Sequence, residues 1–360
     1  MGQPGGLLRG AATFERGGLG AATRPGQGRS HRHLQRRPGT CAISTLSIDE
    51  DDLAEARKFN RKLDWLPRFK LRNRFDQLLI QSLLRLSQTG SDRAVRRVGL
   101  DLEERVAEAD GLRVPVRILR SRAPVKGVVL DIHGGGWAIG NARVDDGLNS
   151  RIIHACGVAV VSVDYRLAGR VPVEELIKDC TAAARWLLEG GLPEYAGMPV
   201  VFTGESAGGH LAVATLLRLK AWPDLLRRVR GAVLHYGVYD LAGTRSVREA
   251  GRDTLVLPGR DLKKALCRLT PDLNDEERRA PDLSPLYADL RGLPPALMFT
   301  GTLDPLRDDT LELAERWRTA GGEVELHLVP ESPHGLIHFS TRIAAKVRAR
   351  GHAWIRDRLR

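Results

Sequence analysis

No stretch of this 360-residue chain approaches the roughly 20 consecutive apolar residues that a membrane-crossing helix needs. Helical spans are therefore excluded, and no membrane partner is expected. Cysteine is scarce: Cys41, Cys156, Cys180 and Cys267 lie far apart, with no C-x-x-C pair. That spacing argues against a zinc site or a disulfide framework, and it suits buried thiols in a reducing, cytoplasmic compartment. The early residues lack the apolar stretch of about 7–15 residues that marks a secretory signal. Internal repeats are absent, as are a G-x-x-x-x-G-K-[ST] loop and a G-x-G-x-x-G turn within a βα unit, so a phosphate-cradling role for the glycines is disfavoured.

Acids are nearly missing from residues 1–45, where seven Arg face the single acid Glu15, so about half of the net charge of +12 sits in that segment. It is rich in Gly, Pro, Arg and Ser and shows no apolar period. Such a segment buries too little surface to offset its ordering entropy, and a disordered basic extension is expected there. The rest of the chain disperses its positive charge among acids. Clusters such as "RRVR" at 227–230 read as solvated helix faces, so no nucleic-acid partner is expected.

What is present begins near Ser47. "SIDEDDLAEARKFNRKL" opens with a helix-capping Ser and acids in its first turn, and "DQLLIQSLLRL" (76–86) is a second helical pattern. Residues 46–95 are accordingly expected to be cap or N-terminal helices. Beyond them, apolar runs at 114–119, 127–132, 158–163, 199–203, 231–236, 296–300 and 324–329 alternate with helical patterns. The clearest stripe is Leu176, Ile177, Cys180, Ala183, Ala184, Leu187 and Leu188, closed by Gly190 and Gly191. Alternation of this kind predicts an α/β catalytic domain over 96–360, a doubly wound and mostly parallel sheet. Residues 240–285 interrupt the rhythm and are expected to be a helical insertion contributing to the cap.

Four motifs carry chemistry. "GESAG" (204–208) matches G-x-S-x-G, with "PVVFT" running in and "AGGHLAVATLLRLK" running out. This is the strand–turn–helix setting of a nucleophile elbow at Ser206, where a sharp turn demands small neighbours. "LDIHGGGWAIG" (130–140) places three glycines after another strand, leaving Gly134, Gly135 and Gly136 amides uncovered for an oxyanion, with the Ala207 amide as a further donor. Among ten histidines, His334 in "PESPHGLIHF" follows the last strand on a Pro/Gly loop, and His338 is its nearest rival. Asp304 in "MFTGTLDPLRDD" lies just past another strand, whereas Asp308 and Asp309 fall on the following helix. The chain order Ser206, Asp304, His334 is that of α/β-hydrolases.

On HGGGW, "VDYRLA" (163–168), "GESAGGHLA" (204–212), "SPLYADLRGLPPALMFTGTLDPLRDD" (284–309) and "HGLIHF" (334–339), the chain resembles the hormone-sensitive lipase family of esterases over roughly residues 100–345. The resemblance implies an α/β-hydrolase fold with a helical cap. It also implies hydrolysis of short- to medium-chain acyl esters or lactones without cofactor or metal. By position, Ser206, Asp304 and His334 match the family's triad, and Gly135, Gly136 and Ala207 its oxyanion donors. Trp137, Tyr165 and Glu205 are further candidates at the substrate site, with Glu205 expected to hold neighbours by hydrogen bonds. Two departures fall near the pocket: "GRVPVEE" (169–175) replaces the family's P-E-x-x-x-P, and "HYGVYD" (235–240) replaces its S-P dipeptide. The same residues also suit an amidase or deacetylase. A non-catalytic binder on this fold would lose the histidine that this chain keeps. The sequence does not set the oligomeric state, and a homodimer is one option.

Overall fold

The computed structural model describes residues 44–66 and 73–360. The basic extension, with Cys41, lies outside the described residues except for its last two positions; the Ser44 N–H donates to the Leu326 carbonyl at 2.8 Å.

Among the described residues, eight strands form one sheet: β1 (Leu100–Ala109), β2 (Leu112–Ser121), β3 (Val128–Ile132), β4 (Ala159–Val163), β5 (Val200–Glu205), β6 (Val229–His235), β7 (Ala296–Gly301) and β8 (Val324–Val329). Their order is β1-β2-β4-β3-β5-β6-β7-β8. β2 runs antiparallel to β1 and β4, and the remaining pairs are parallel. The seven expected strands correspond to β2 through β8. β1 was not expected, because "LDLEERVAEA" is polar and only Leu100 and Ala107 in it are fully buried. It is held by its hairpin with β2, whose turn puts Asp110 and Gly111 at φ 52° and 74°, the positive pair that a tight hairpin favours.

Among the described residues, twelve α-helices pack around the sheet. They are α1 (Glu50–Asp64), α2 (Arg74–Ser87), α3 (Ser91–Arg97), α4 (Asp146–Cys156), α5 (Val173–Leu188), α6 (Ala207–Leu219), α7 (Pro223–Leu226), α8 (Arg245–Glu249), α9 (Gly259–Leu269), α10 (Asp275–Arg278), α11 (Arg307–Thr319) and α12 (Arg342–Arg358). Side-chain alternation divides the core. Val128, Leu130 and Ile132 of β3, with Val200 and Phe202 of β5, face one apolar cluster shared with α5, α6 and α11. Val129, Val201, Leu297 and Phe299 face the other, shared with α4 and α12. Both faces of the parallel strands are thus dry, which is why they read as unbroken apolar runs. Each fully buried Val, Leu or Phe contributes about 1.5–3 kcal/mol through area removed from water.

The helices before β1 divide their labour differently from the expected cap. The N-cap of α1 is Asp49, in a capping box with Asp52, rather than Ser47. The Asp49 carboxylate accepts from the Asp52 N–H at 2.9 Å and the Asp52 carboxylate from the Asp49 N–H at 3.1 Å, a reciprocal pair that a Ser two residues earlier does not make. α1 then packs on α12 and the loop after β8: Phe59 meets Phe339 at 4.9 Å, Asn60 Nδ2 donates to the Glu331 carbonyl at 2.8 Å, and Lys346 pairs with Asp52. α3 leans on β1 and α4, where the buried Arg117 of β2 holds Asp146 and Asp92. Among the described residues before β1, α2 with its N-cap Asn73 is the part that reaches the substrate cleft described below. The insertion supplies α8, α9 and α10, and α9 forms much of the cleft's outer wall.

Candidate active site

The order of strands reverses at β3, which has β4 on one side and β5 on the other, and the carboxyl ends of strands around such a switch form a crevice. Ser206 follows β5 with φ 53° and ψ −121°, outside the ordinary regions for a side-chain-bearing residue. Its flanking glycines are forced by space. A Cβ on Gly204 would lie 2.5 Å from the Gly208 carbonyl oxygen, and one on Gly208 would lie 1.9 Å from the Ile132 carbonyl oxygen. The turn is fixed further by the Ser206 N–H donating to the His235 carbonyl at 2.9 Å.

His334 comes from the loop after β8, with its Nε2 2.9 Å from Ser206 Oγ and its Nδ1 2.9 Å from Asp304 Oδ2. Asp304 lies three residues past β7 and is 3% exposed; its other oxygen accepts from the Leu306 N–H at 2.8 Å. Both imidazole nitrogens are thereby engaged, so a proton can pass between Oγ and Nε2 while the carboxylate holds Nδ1–H. His338 does not join this line. Its Nε2 stands 3.1 Å from Glu205. Asp308 and Asp309 lie in the first turn of α11, where Asp309 accepts from the Tyr239 and Asp240 amides and the Thr244 hydroxyl.

The glycine loop after β3 faces this hydroxyl. Gly135 and Gly136, at φ 108° and 59°, line the cleft with Ser206 and His334. Among the described residues, the N–H groups of Gly135, Gly136 and Ala207 donate to no protein acceptor. Three uncommitted amides beside a nucleophile, one of them at the start of α6, can receive developing negative charge. Gly134 is not on that wall. It backs onto Glu205, whose Oε1 would lie 2.6 Å from a Cβ there, so this position serves close packing rather than the cleft.

Of the three other candidates, Trp137 lines the cleft, and its indole N–H donates to His210 Nδ1 at 3.1 Å. His210 Nε2–H in turn donates to the Leu283 carbonyl at 2.7 Å, and burial drives this imidazole down to about 4, so it stays neutral and able to accept. Tyr165 is a correction: it does not reach the cleft. Its ring stacks on His133 at 4.2 Å and its hydroxyl donates to the His133 carbonyl at 2.8 Å, and these contacts hold the side chain against the glycine loop's own backbone instead of in the cleft. Glu205 borders the cleft but is spent on neighbours, accepting from the Tyr236 hydroxyl at 2.6 Å and facing His338. Burial alone would push its carboxyl up, and the His338 imidazolium and Tyr236 hydroxyl outweigh that and hold it well below the usual carboxylate range.

Tyr236 was missed by sequence reasoning although it belongs to the departing "HYGVYD" stretch. It is fully buried, sits at φ 39°, and packs its ring edge-on against His334 at 4.7 Å between centroids. An aromatic residue in place of the small S-P pair was the available signal. The other departure also meets the cleft, through Gly169, Arg170, Val171, Pro172 and Glu174. Gln77 and Asn73 from α2, with Val256, Leu257, Leu262 and Leu266 from the insertion, complete a largely apolar cavity of about 800 Å³.

Comparison with known proteins agrees with this architecture. Residues 129–338 match the family model of the alpha/beta hydrolase fold. The carboxylesterase NlhH of Mycobacterium tuberculosis is 36% identical over 268 residues, covering 70% of this chain and 80% of its own. An acetyl-hydrolase of Streptomyces hygroscopicus is 32% identical over 206 residues, 57% of this chain and 67% of its own. The crystal structure of an esterase from the bacterial hormone-sensitive lipase family superposes with a TM-score of 0.69 at 28% identity, covering 87% of this chain and all of that one. The chain belongs to the α/β-hydrolase-fold family, in its hormone-sensitive lipase branch of carboxylic ester hydrolases.

Proposed function

We propose that this protein is a serine carboxylesterase acting on short- to medium-chain acyl esters through a Ser206 acyl-enzyme. The observation that carries the reading is one line of contacts: Ser206 Oγ to His334 Nε2 and His334 Nδ1 to Asp304 Oδ2, each 2.9 Å, opposite three uncommitted amides. In the first half-reaction His334 takes the hydroxyl proton as Oγ attacks the ester carbonyl. The oxyanion lodges against the amides of Gly135, Gly136 and Ala207, and each such donor is worth about 3 kcal/mol in the transition state. His334 then gives its proton to the departing alcohol. In the second half-reaction it activates water to release the acid and restore the serine, while Asp304 stabilises the imidazolium each time.

The cleft supports a modest acyl chain. Its apolar surface is interrupted by Arg170, Glu174, Arg268 and Asp272, against which a long hydrocarbon would have to desolvate charge. A p-nitrophenyl ester series tests both parts: acetate to hexanoate is cleaved, turnover falls by palmitate, and Ser206→Ala loses at least about 10³-fold in kcat. Equal or faster turnover of C16 esters contradicts the chain-length reading. Undiminished activity of Ser206→Ala contradicts the mechanism.

A further inference from the structure

Behind the nucleophile, three potential ligands converge that the proposed reaction does not use. Asp145 precedes α4, Glu205 ends β5, and His338 lies four residues beyond His334; each offers one ligand atom within 4.8 Å of the others. Asp145 is the telling member. It is 4% exposed, and its Oδ1 has no hydrogen-bond partner among the described residues. Although it occupies the N-cap position of α4, its side chain does not cap the helix. Arg348, on the wall of the same small cavity, spends its Nη1 on the carbonyls of Ile337 and Phe339. A carboxyl buried without a donor requires another partner, whether a proton, a water or a cation.

The spacing of the three groups suits a cation. Three atoms no more than 4.8 Å apart share a point within about 2.8 Å of each, against about 2.0–2.2 Å for zinc bonds to nitrogen and oxygen, so side-chain shifts below an ångström close the difference. One imidazole with two carboxylates is a donor set for zinc and its transition-metal neighbours, whereas calcium and magnesium favour all-oxygen sites. Glu205 and His338 also border the substrate cleft. We propose that Asp145, Glu205 and His338 form a binding site for a divalent transition-metal ion of the zinc class, and that the bound ion inhibits the enzyme.

Inhibition follows from what the ligands do now. An ion drawing Glu205 to itself breaks the 2.6 Å bond from Tyr236, whose ring supports His334, and it pins His338 on the loop that carries His334. The ion is no cofactor, and no step of the reaction passes through it.

The test uses the full chain, stripped by chelator and titrated calorimetrically with ZnCl₂, with CoCl₂ as an optical probe. Expected are one ion per chain, a visible Co²⁺ spectrum of nitrogen and oxygen ligation, and ester turnover that falls with Zn²⁺ and returns with EDTA. Asp145→Asn and His338→Ala each weaken Zn²⁺ binding at least tenfold, while Ser206→Ala and His334→Ala leave it intact. The binding readout thus stands apart from the esterase reading. The proposal is overturned if neither Asp145→Asn nor His338→Ala weakens binding, if no stoichiometric binding occurs, or if His334→Ala or Cys267→Ser removes it. Should both ligand variants fail to fold, thiolate bands in the Co²⁺ spectrum of the unaltered protein overturn the proposal and their absence supports it.

Discussion

Ser206 holds a backbone conformation that costs free energy, and the residues around it show where that cost is contained. Gly204 and Gly208 let the strand and the helix close to within backbone contact, and the Ser206 amide is tied to His235. The glycine loop opposite is held from behind by Tyr165 through the His133 carbonyl. Tyr165→Phe keeps the stacked ring and removes the hydroxyl bond. It is expected to lower kcat by about tenfold with KM nearly unchanged, since a looser oxyanion loop weakens the transition state more than the ground state. A raised KM with intact kcat would instead put Tyr165 in contact with substrate. The sequence made Ser206, Asp304 and His334 legible because Ser206 directly follows a strand, and Asp304 and His334 lie in the loops that leave the carboxyl ends of two others. It misled at Tyr165, whose motif lies next to the pocket in the chain while its side chain turns to the other side of the loop. It was silent on Asp145 and nearly so on Tyr236, because a pairing across separate elements leaves no local pattern.

At the level of elements, α2 is the part of the N-terminal helices that reaches the cleft, and it is latched by glutamines. Gln81 exchanges two hydrogen bonds of 2.9 Å with the buried Gly140, and Gln77 Nε2 donates to the Ala138 carbonyl at 2.7 Å and the Ala168 carbonyl at 3.0 Å. Gln81→Ala strands both Gly140 groups, a cost of about 1–3 kcal/mol. The expected outcome is a fall in Tm of about 2–4 °C with a higher KM for esters, measured by calorimetry and steady-state kinetics. An unchanged KM would show that α2 does not shape the cleft. The longer helices and the strands β2 to β8 were legible because their apolar residues repeat at 3.6 or form strand-length runs. β1 was not, because this edge strand carries too few apolar residues to stand out, although Asp110-Gly111 marked its turn. The latch of α2 was equally invisible, since glutamine–carbonyl pairing has no periodicity.

Across the whole molecule, the two faces of the sheet are sealed, and the thiols report on that seal. Cys156 and Cys180 are buried, and burial pushes the Cys156 thiol up to about 11, whereas Cys267 on α9 is half-exposed. Native protein treated with iodoacetamide is expected to label Cys267 while sparing Cys156 and Cys180, which react only after denaturation. Equal labelling in peptide maps would show a core open to solvent. The central claim is that residues far apart in the chain meet at one sheet edge to make Ser206 a nucleophile, and an alkyl fluorophosphonate tests it most directly. Intact mass and peptide mapping should show one adduct per chain, on Ser206, rising in step with the loss of ester turnover and at least about 10²-fold slower in His334→Ala. Full turnover after Ser206 is completely modified, or an adduct on another residue tracking the loss, would contradict the account.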